Sequence, residues 1–424
     1  MNKGSDQHFA LVRVHNIGPI AEGEFHVRPL TLFTGRNSVG KTIASTLLYI
    51  LQKSIWNALR ARRRPLSGLI MASLRRSTSR ESIAQIESDL NALFNDGEFV
   101  GDLKEGFIEE LTRAFSAHKN ILKHGRKNAR FAVEHSSGWK FDCELRSNAV
   151  TCSLTTGKLR YEKVDPKSTS SATILRELAA SFAEAFGGWE DRPIMIPAGR
   201  AGITDSYRYL AEQVLLERHG YRKGGPSGIT RDFLALLVGA GEPELLFDED
   251  DEVPYVYALF DPMLGGRLRP SLNPEELFTF SVHGKEIDRN VMSSMVKELG
   301  PMVVMLQTSK IDGSVLIIDE PECHLHPRAQ VDLANAFVSL VAQRARFVLS
   351  THSPYLAQSL SNRWVEQARA GQVGVEDMSV VNFSDGPSGV TVRDVPFSEQ
   401  YGFTFDDFSQ TANEVQDRFV GLFE

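Results

Sequence analysis

The segment that determines the fold is the loop Gly35-Arg36-Asn37-Ser38-Val39-Gly40-Lys41-Thr42. It matches the pattern G-x-x-x-x-G-K-[ST], in which the loop connects a buried strand to a helix. An apolar run at residues 30–34 precedes the loop, and residues 43–56 continue it with a helix-like pattern. The pattern predicts a phosphate-binding loop. The alternative is an ordinary glycine-containing connection between a strand and a helix.

Each residue type in this loop suits contact with a polyphosphate. Glycines let the backbone curl, so that successive N–H groups point inward at the anion. The helix that follows directs the positive end of its dipole at the same place. We expect the lysine to reach the β- and γ-phosphates and the threonine hydroxyl to hold Mg²⁺. The predicted nucleotide-binding residues of this segment are Asn37, Ser38, Val39, Gly40, Lys41, Thr42 and Ile43.

A second stretch, Val315-Leu316-Ile317-Ile318-Asp319-Glu320, places two acids directly after four apolar residues. Such a run is typical of a strand buried on both faces of a parallel sheet. The acids then lie at the carboxyl end of the strand, where α/β sheets bind ligands. Asp319 suits a water-mediated contact with Mg²⁺, and Glu320 suits a general base for an attacking water. The alternative is that the two acids only cap the next turn.

One histidine follows another predicted strand. Residues 347–350 form a short apolar run that ends at Thr351-His352-Ser353-Pro354. His352 is therefore expected at the same sheet edge as the two acids, where it can hydrogen-bond a γ-phosphate or an attacking water. A lone histidine after a strand is more often structural, but the nearby acids favour the functional interpretation. Ser353 is expected to cap a helix that begins at Pro354.

The whole chain has the composition of a soluble globular protein. Its 424 residues are 42% hydrophobic and 24% charged, which is enough for one large or two ordinary domains. No apolar run reaches the length of a membrane span and no secretory signal opens the chain, so we expect a cytoplasmic protein with no membrane partner. The three cysteines lack metal-ligand spacing and are expected to be reduced, although Cys143 and Cys152 could pair across a hairpin.

Two basic segments interrupt a chain whose net charge is −7. In the first, the arginines between Arg60 and Arg80 are candidates for contact with duplex DNA, because no acid lies among them. No aromatic residues interleave with these arginines, so stacking on single-stranded bases is not expected. The alternatives are a solvated helical face and a docking site for an acidic partner. The second segment contains Arg113, Lys119, Lys123, Arg126, Lys127 and Arg130.

The rest of the pattern predicts alternating strands and helices. Expected strands lie at residues 9–14, 24–27, 30–34, 193–197, 253–260, 277–282, 315–318, 347–350, 378–383 and 389–393, with an antiparallel meander at 129–164. Expected helices lie at residues 43–59, 82–122, 171–186, 204–240 and 291–306, after Pro327, after Ser353 and at the end of the chain. The acid run at residues 248–252 is expected to be an exposed loop.

Several of these pieces together resemble the ATP-binding-cassette (ABC) ATPases of the SMC, RecF and OLD lineage. Asp319-Glu320-Pro321-Glu322-Cys323-His324-Leu325-His326-Pro327 is similar to that lineage's Walker B and D-loop stretch, and residues 348–354 resemble its switch-histidine strand. Asn16-Ile17-Gly18-Pro19-Ile20 resembles its opening, and residues 196–200 resemble a segment common in small stand-alone members. Ser293-Ser294 stands where the lineage carries a Ser-Ser-Gly signature, with Met295 in place of the glycine. By itself, this serine pair is typical of a helix cap.

The resemblance implies an α/β protein with an ABC-ATPase fold. This fold has a mixed sheet with a phosphate-loop core, an antiparallel β subdomain and an inserted helical lobe. Residues 1–60 and 260–424 would form the nucleotide-binding core, and residues 61–259 would form the inserted lobe.

The resemblance also implies a homodimer or higher homo-oligomer that holds ATP and Mg²⁺ at each interface. Hydrolysis would then release the dimer. Lys41, Glu320 and His352 would be catalytic, Thr42 and Asp319 would hold the metal, and Ser293 and Ser294 would contact the ATP of the partner protomer.

Stand-alone members of this lineage often resemble components of bacterial anti-phage systems, such as the ATPase subunit of the PARIS system. The residues after 393 are too few for the nuclease domain of OLD proteins, and no sustained heptads indicate the coiled coils of SMC proteins. We therefore expect an ATP-hydrolysing sensor or scaffold that controls a separately encoded effector, a nuclease or a toxin. One alternative is a DNA-repair ATPase similar to RecF. Another is a scaffold that binds nucleotide without hydrolysing it, for which Met295 is the main argument.

Overall fold

The computed structural model describes residues 10–61, 88, 97–136, 138–155, 192–218, 228–240, 254–271, 273, 275–308, 315–398 and 402–420. The chain divides into two compact units. The first contains residues 1–28, 46–193 and 385–393, and the second contains residues 29–45, 194–384 and 394–424. The sequence suggested a different division, in which residues 1–60 joined residues 260–424. Residues 194–259 belong to the second unit because side chains such as Phe233 and Leu237 share its hydrophobic core.

The described strands and helices follow one another along most of the chain. The strands are β1 (Ala10–Ile17), β2 (Ile20–Val27), β3 (Leu30–Gly35), β4 (Asn128–His135), β5 (Lys140–Arg146), β6 (Ala149–Thr155), β7 (Ile194–Ile196), β8 (Arg267–Pro270), β9 (Phe278–Val282), β10 (Lys285–Glu286), β11 (Val315–Asp319), β12 (Arg346–Ser350), β13 (Met378–Ser384) and β14 (Val390–Val395). The helices are α1 (Lys41–Ala61), α2 (Gly97–Phe115), α3 (Arg200–Arg218), α4 (Gly228–Ala240), α5 (Pro254–Leu264), α6 (Ser294–Thr308), α7 (Pro327–Ala342), α8 (Pro354–Arg369) and α9 (Asp406–Val420).

The first unit is built on a sheet with the strand order β6-β5-β4-β1-β2-β14. Its described pairs are antiparallel except β2–β14, so the predicted meander is confirmed as far as residue 155. Alternate residues of β5 are buried, and the ring of Phe141 lies 4.9 Å from the ring of Phe107 on α2. Cys143 and Cys152 face each other across β5 and β6 as buried free thiols. The pKa of the Cys143 thiol is raised by its hydrogen bond with Cys152 and by burial.

The second unit is built on a parallel sheet with the strand order β13-β3-β12-β11-β7. Every residue of β3 and β11 is buried, as expected for strands covered on both faces. Asp319 pairs with Ser350 and Ser350 pairs with Phe33, so β11, β12 and β3 end at one edge. The sheet therefore brings the phosphate-loop strand and the acid-tipped strand to the same side. A separate antiparallel sheet in this unit has the order β10-β9-β8.

The start of one helix confirms the predicted cap. Helix α8 begins at Pro354, and the Ser353 hydroxyl accepts a hydrogen bond from the main-chain N–H of Leu356 at 3.3 Å. Helix α7 also has proline in its first turn, where the missing N–H would have had no partner in the helix. Each of these two helices is the next helix along the chain after a strand that ends at the sheet edge carrying the candidate site.

One predicted strand is wrong. Residues 254–264 form helix α5 and not the strand expected at 253–260. The run is rich in aromatic and β-branched residues, which favoured a strand. However, Pro254 can open a helix, and Val256, Phe260 and Leu264 recur every four residues and are all buried. Because apolar runs of this length fit both periods, tertiary packing decides between them.

Several predictions fall on residues outside the described ranges. They concern most of the first basic segment, the strand at 159–161, the helix at 171–186 and the acid run at 248–252. As predicted, the chain is a mixed α/β protein. Within the described residues, no helix combines the length and the apolar character needed to cross a bilayer.

Candidate functional site

The phosphate loop runs from the last residue of β3 to the first turn of α1. Its backbone reverses at residues of positive φ: +133° at Gly35, +65° at Ser38 and +99° at Gly40. A Cβ on Gly35 would lie 2.4 Å from the carbonyl oxygen of Phe383 on β13, so glycine is required there. Asn37 and Ser38 are exposed, whereas Val39 and Gly40 are buried and Ile43 is half-buried. The loop thus presents an open curl of backbone in front of a helix N-terminus, the arrangement that binds phosphate.

Lys41 folds back over its own loop. Its ammonium Nζ donates to the carbonyl oxygens of Gly35 at 2.7 Å and Arg36 at 2.8 Å. Burial lowers the pKa of Lys41 to about 8, although the carboxylates of Asp319 and Glu320 act in the opposite direction. The ammonium is therefore held by weak neutral acceptors at the place where a phosphate would supply a charged one.

Two hydroxyls fix the carboxylate of Asp319. Thr42 donates through Oγ1 to Oδ2 of Asp319 at 3.0 Å, and Ser350 donates through Oγ to Oδ1. A threonine hydroxyl beside a carboxylate supplies hard oxygen ligands, which Mg²⁺ prefers. These residues fit the predicted metal, since the phosphates and waters of a bound nucleotide would complete its octahedron.

Glu320 and His352 form a pair beside Lys41. The Nε2 atom of His352 lies 3.1 Å from Oε1 of Glu320, and its Nδ1 lies 3.3 Å from Nζ of Lys41. A neutral imidazole with its proton on Nε2 satisfies both contacts, because Nε2 then donates to the carboxylate and Nδ1 accepts from the ammonium. About a third of each side chain is exposed, 31% for His352 and 35% for Glu320, so water reaches the pair. Cys323 donates through Sγ to the other oxygen of Glu320 at 3.2 Å.

A third acid, Glu322, holds the segment that carries His352. Its Oε1 accepts from the hydroxyl of Thr351 at 2.5 Å and from the main-chain N–H groups of His352 at 2.8 Å and Ser353 at 3.2 Å. Burial raises the pKa of Glu322. Sequence reasoning gave this residue no role, although a third acid so close to two others was the available signal.

The sequence analysis also gave Arg200 no role, although it singled out residues 196–200, the segment that contains this arginine. Its guanidinium is fully buried and donates to the main-chain oxygens of Asp319 and Glu320, both at 3.0 Å. Its partner Glu298 is a charged residue among apolar neighbours on α6. That break in the apolar pattern was the signal that was missed.

The serine pair lies at the start of α6. Ser293 caps the helix, because its Oγ accepts from the main-chain N–H of Val296 at 3.3 Å. Ser293 and Ser294 are exposed, and within the described chain neither hydrogen-bonds to the loop residues. Met295 is half-buried and packs against the hydrophobic core.

Comparisons with known proteins agree with an ATPase assignment for part of the chain. Residues 270–358 match the family described as "AAA domain, putative AbiEii toxin, Type IV TA system". No curated protein matches the chain.

Similar solved structures include heads of SMC proteins. An SMC head bound to the C-winged helix domain of ScpA is 11% identical, with a TM-score of 0.46 over 92% of this chain and 98% of that chain. The SMC head from Pyrococcus furiosus, bound to the C-terminal domain of ScpA, is 10% identical with a TM-score of 0.43 over 96% and 98%. The head domain from Thermotoga maritima is 8% identical with a TM-score of 0.40 over 92% and 99%. The segment matched by the family model, residues 270–358, includes the acids of β11 and His352.

Proposed function

We propose that this chain binds and hydrolyses ATP. The observation that carries the proposal is the convergence of Lys41, Thr42, Asp319, Glu320 and His352 at one edge of the parallel sheet. The family match over residues 270–358 supports it independently, because it contains the last three of these residues.

The geometry of the site favours a different role in ATP hydrolysis for each of these residues. When bound, Mg²⁺ would be held by Thr42 and Asp319 and would neutralise charge on the phosphates. Lys41 exchanges its two carbonyl acceptors for phosphate oxygens, a stronger, charge-assisted contact. That exchange releases Nδ1 of His352, while Nε2 keeps the carboxylate of Glu320 oriented toward the attacking water. Glu320 accepts a proton from that water as the γ-phosphoryl group leaves ADP.

We also propose that two copies pair to complete each site. The exposed serines at the start of α6 are the support, because hydroxyls at a helix N-terminus bind anions and these two do not contact their own loop. A second protomer would bring Ser293 and Ser294 to the γ-phosphate held by the first. Met295 is half-buried against its own core, so only part of its side chain stands beside the serines.

At the cellular level we propose a sensor or scaffold in anti-phage defence, which controls a separately encoded nuclease or toxin. The description of the matched family names a toxin–antitoxin system, which is compatible with such a role. Co-purification of the product of a neighbouring gene, released or retained according to the nucleotide, would support it. Turnover stimulated by duplex DNA and lost on replacing the arginines between Arg60 and Arg80 would instead favour the repair alternative.

Replacing Glu320 tests the catalytic proposal. Glu320→Gln keeps the hydrogen bond from His352 but cannot accept a proton, so we expect ATP binding to persist while turnover falls by about a hundredfold or more. Nucleotide affinity by calorimetry and phosphate release under single-turnover conditions separate the two effects. Glu366→Gln, an exposed glutamate paired with Arg363, is the matched control and should turn over ATP like the wild type. Equal turnover by Glu320→Gln and wild type would remove the role given to Glu320.

A further inference from the structure

Arg200 buries a positive charge directly behind the candidate site. It opens helix α3, and its side chain and that of Glu298 are both 0% exposed. The guanidinium makes four hydrogen bonds to main-chain oxygens. Nε donates to that of Glu298, Nη1 to those of Pro197 and Asp319, and Nη2 to that of Glu320, while Nη2 also lies 3.0 Å from Oε1 of Glu298. Burying an ion pair is costly, and it often stabilises a protein no more than apolar side chains of similar size would. Stability alone therefore does not explain why Arg200 and Glu298 are buried here.

The first target of Arg200 is the main chain that carries the proposed base. Glu320 has φ +45°, a left-handed conformation that is unfavourable for a residue with a side chain. Four main-chain contacts hold it there. Its N–H donates to the carbonyl of Ser350 at 3.0 Å, its carbonyl accepts from the N–H of Cys323 at 3.2 Å, and Arg200 donates to the carbonyls of Asp319 and Glu320. Arg200 thus helps to set the direction in which the Glu320 side chain leaves β11.

The second target is the start of helix α6. Glu298 lies one helical turn after Ser294, and its carboxylate accepts from the main-chain N–H groups of Arg200 at 3.1 Å and Ala201 at 2.8 Å. These are among the first N–H groups of α3, which have no acceptor within their own helix.

Two further contacts fasten the same turn of α6 to α3. The Thr204 hydroxyl donates to the carbonyl of Lys297 at 2.7 Å, and the Lys297 ammonium lies 2.8 Å from Asp205. The helix that presents the exposed serines is therefore joined, through one buried ion pair, to the turn that presents Glu320.

We propose that Arg200 is a positioning residue that couples the start of α6 to the main chain of Glu320. This inference rests on the proposed function, in which Ser293 and Ser294 of one protomer grip the ATP held by the other. When the serines of one protomer contact the partner's ATP, any shift of α6 is transmitted through Glu298 and Arg200 to Glu320 of the same protomer. That Glu320 acts on the ATP bound to the phosphate loop of its own protomer. The two sites of the dimer then cooperate, because occupation of one aligns the base of the other.

Arg200→Lys is the test, because lysine keeps the charge but lacks the fork that joins three main-chain segments. We expect ATP affinity within about twofold of the wild type, since Lys41 and Thr42 are untouched. The turnover number should fall by at least about tenfold, because small misplacements of a catalytic group are costly. The Hill coefficient for ATP should fall from above unity to about 1.

Arg269→Lys in the same unit is the matched control. Arg269 pairs with Asp261 at 3.1 Å and lies over the ring of Tyr257, 3.5 Å from its centroid, but touches none of the site residues. It should keep the wild-type turnover and Hill coefficient. If circular dichroism shows that Arg200→Lys does not fold, Thr204→Val decides. It removes the hydroxyl, which donates to the carbonyl of Lys297 at 2.7 Å and to that of Arg200 in its own helix at 3.3 Å, and should shift turnover and cooperativity in the same direction.

The outcomes separate the inference from the proposed function. A folded Arg200→Lys chain, or Thr204→Val in its place, with turnover and Hill coefficient matching Arg269→Lys would overturn the coupling while leaving the ATPase intact. A wild-type chain that binds no ATP, or binds it without turnover, would overturn both. Loss of turnover together with an equal loss of ATP affinity would assign Arg200 a merely structural role and would also overturn the coupling.

Discussion

The buried carboxyl group of Glu322 makes the stability of the site depend on pH. Burial raises the pKa of Glu322 above its ordinary value near 4.5, so the folded chain holds this proton more tightly than the unfolded chain. The contribution of Glu322 is therefore most favourable below pH 4.5 and declines as pH rises from there through the raised pKa. The second oxygen of this carboxyl group, Oε2, is buried and has no hydrogen-bond partner within the described structure.

Glu322→Gln is expected to remove this pH dependence. The amide oxygen can accept the same three hydrogen bonds, but the side chain no longer titrates. The stability of the variant relative to wild type should therefore increase with pH above 4.5, by at most about 1.4 kcal/mol per pH unit. Urea unfolding across a pH series measures it. The exposed variant Glu366→Gln provides the reference slope; coinciding slopes for both variants would show that Glu322 does not titrate in this range.

Residues in the site differ in how far their environment could be predicted from sequence. The phosphate loop lies in one short segment, so sequence predicted the conformation around Lys41 and Thr42. The acids at the end of β11 were predictable from the apolar run before them. Ser350, Glu322 and Arg200 act on residues that are distant in sequence, or through main-chain atoms, so no local pattern shows which residues they contact. The roles assigned to the predicted site residues stay predictions until turnover is measured.

At the scale of elements, the close approach of β13 to the end of β3 allows only glycine at the first position of the phosphate loop. Gly35 ends β3 with φ +133° beside Phe383 of β13. Gly35→Ala would push a Cβ into a main-chain oxygen in a conformation that alanine rarely adopts. We expect it to lower the free energy of unfolding by more than about 2 kcal/mol and to weaken ATP binding.

Gly101→Ala is the matched glycine control. Gly101 is exposed within α2, and a Cβ there would meet no atom within 4 Å. Alanine should stabilise that helix by about 0.5–1 kcal/mol and leave ATP affinity unchanged. Urea unfolding and calorimetric titration of both variants measure the contrast. An unchanged Gly35→Ala would show that β13 can move away at little cost.

Strands and helices could be predicted from sequence where the apolar residues follow a single period. The parallel strands β11 and β12 are continuous apolar runs next to polar turns, and both lie where sequence placed them. Helix α5 was misassigned because an eight-residue apolar run fits either a strand or a helix, and its burial against α6 in the assembled core decided the outcome. Short runs without a distinct period are therefore the part of this fold that sequence determines least.

At the scale of the whole molecule, the proposed dimer shares each ATP site between two protomers. If Ser293 and Ser294 act on the ATP of a second protomer, a defect in the serines and a defect in the base affect different sites of a mixed dimer. Ser294→Arg, which places a bulky side chain at the helix start, and Glu320→Gln should each lack turnover when alone. Both leave the phosphate loop intact, so both should still bind ATP.

Mixing the two variants before ATP is added should restore turnover. Random pairing makes half of the dimers mixed, and each mixed dimer has one site with a native glutamate and native serines. The expected activity is therefore at most about a quarter of the wild-type rate. The proposed coupling through Arg200 lowers it further, because the native Glu320 lies in the protomer whose α6 carries Ser294→Arg. Each variant mixed with itself is the control, and light scattering with ATP confirms that dimers form. Dimers without restored turnover would show that the serines act within their own protomer, because a mixed dimer would then contain no complete site.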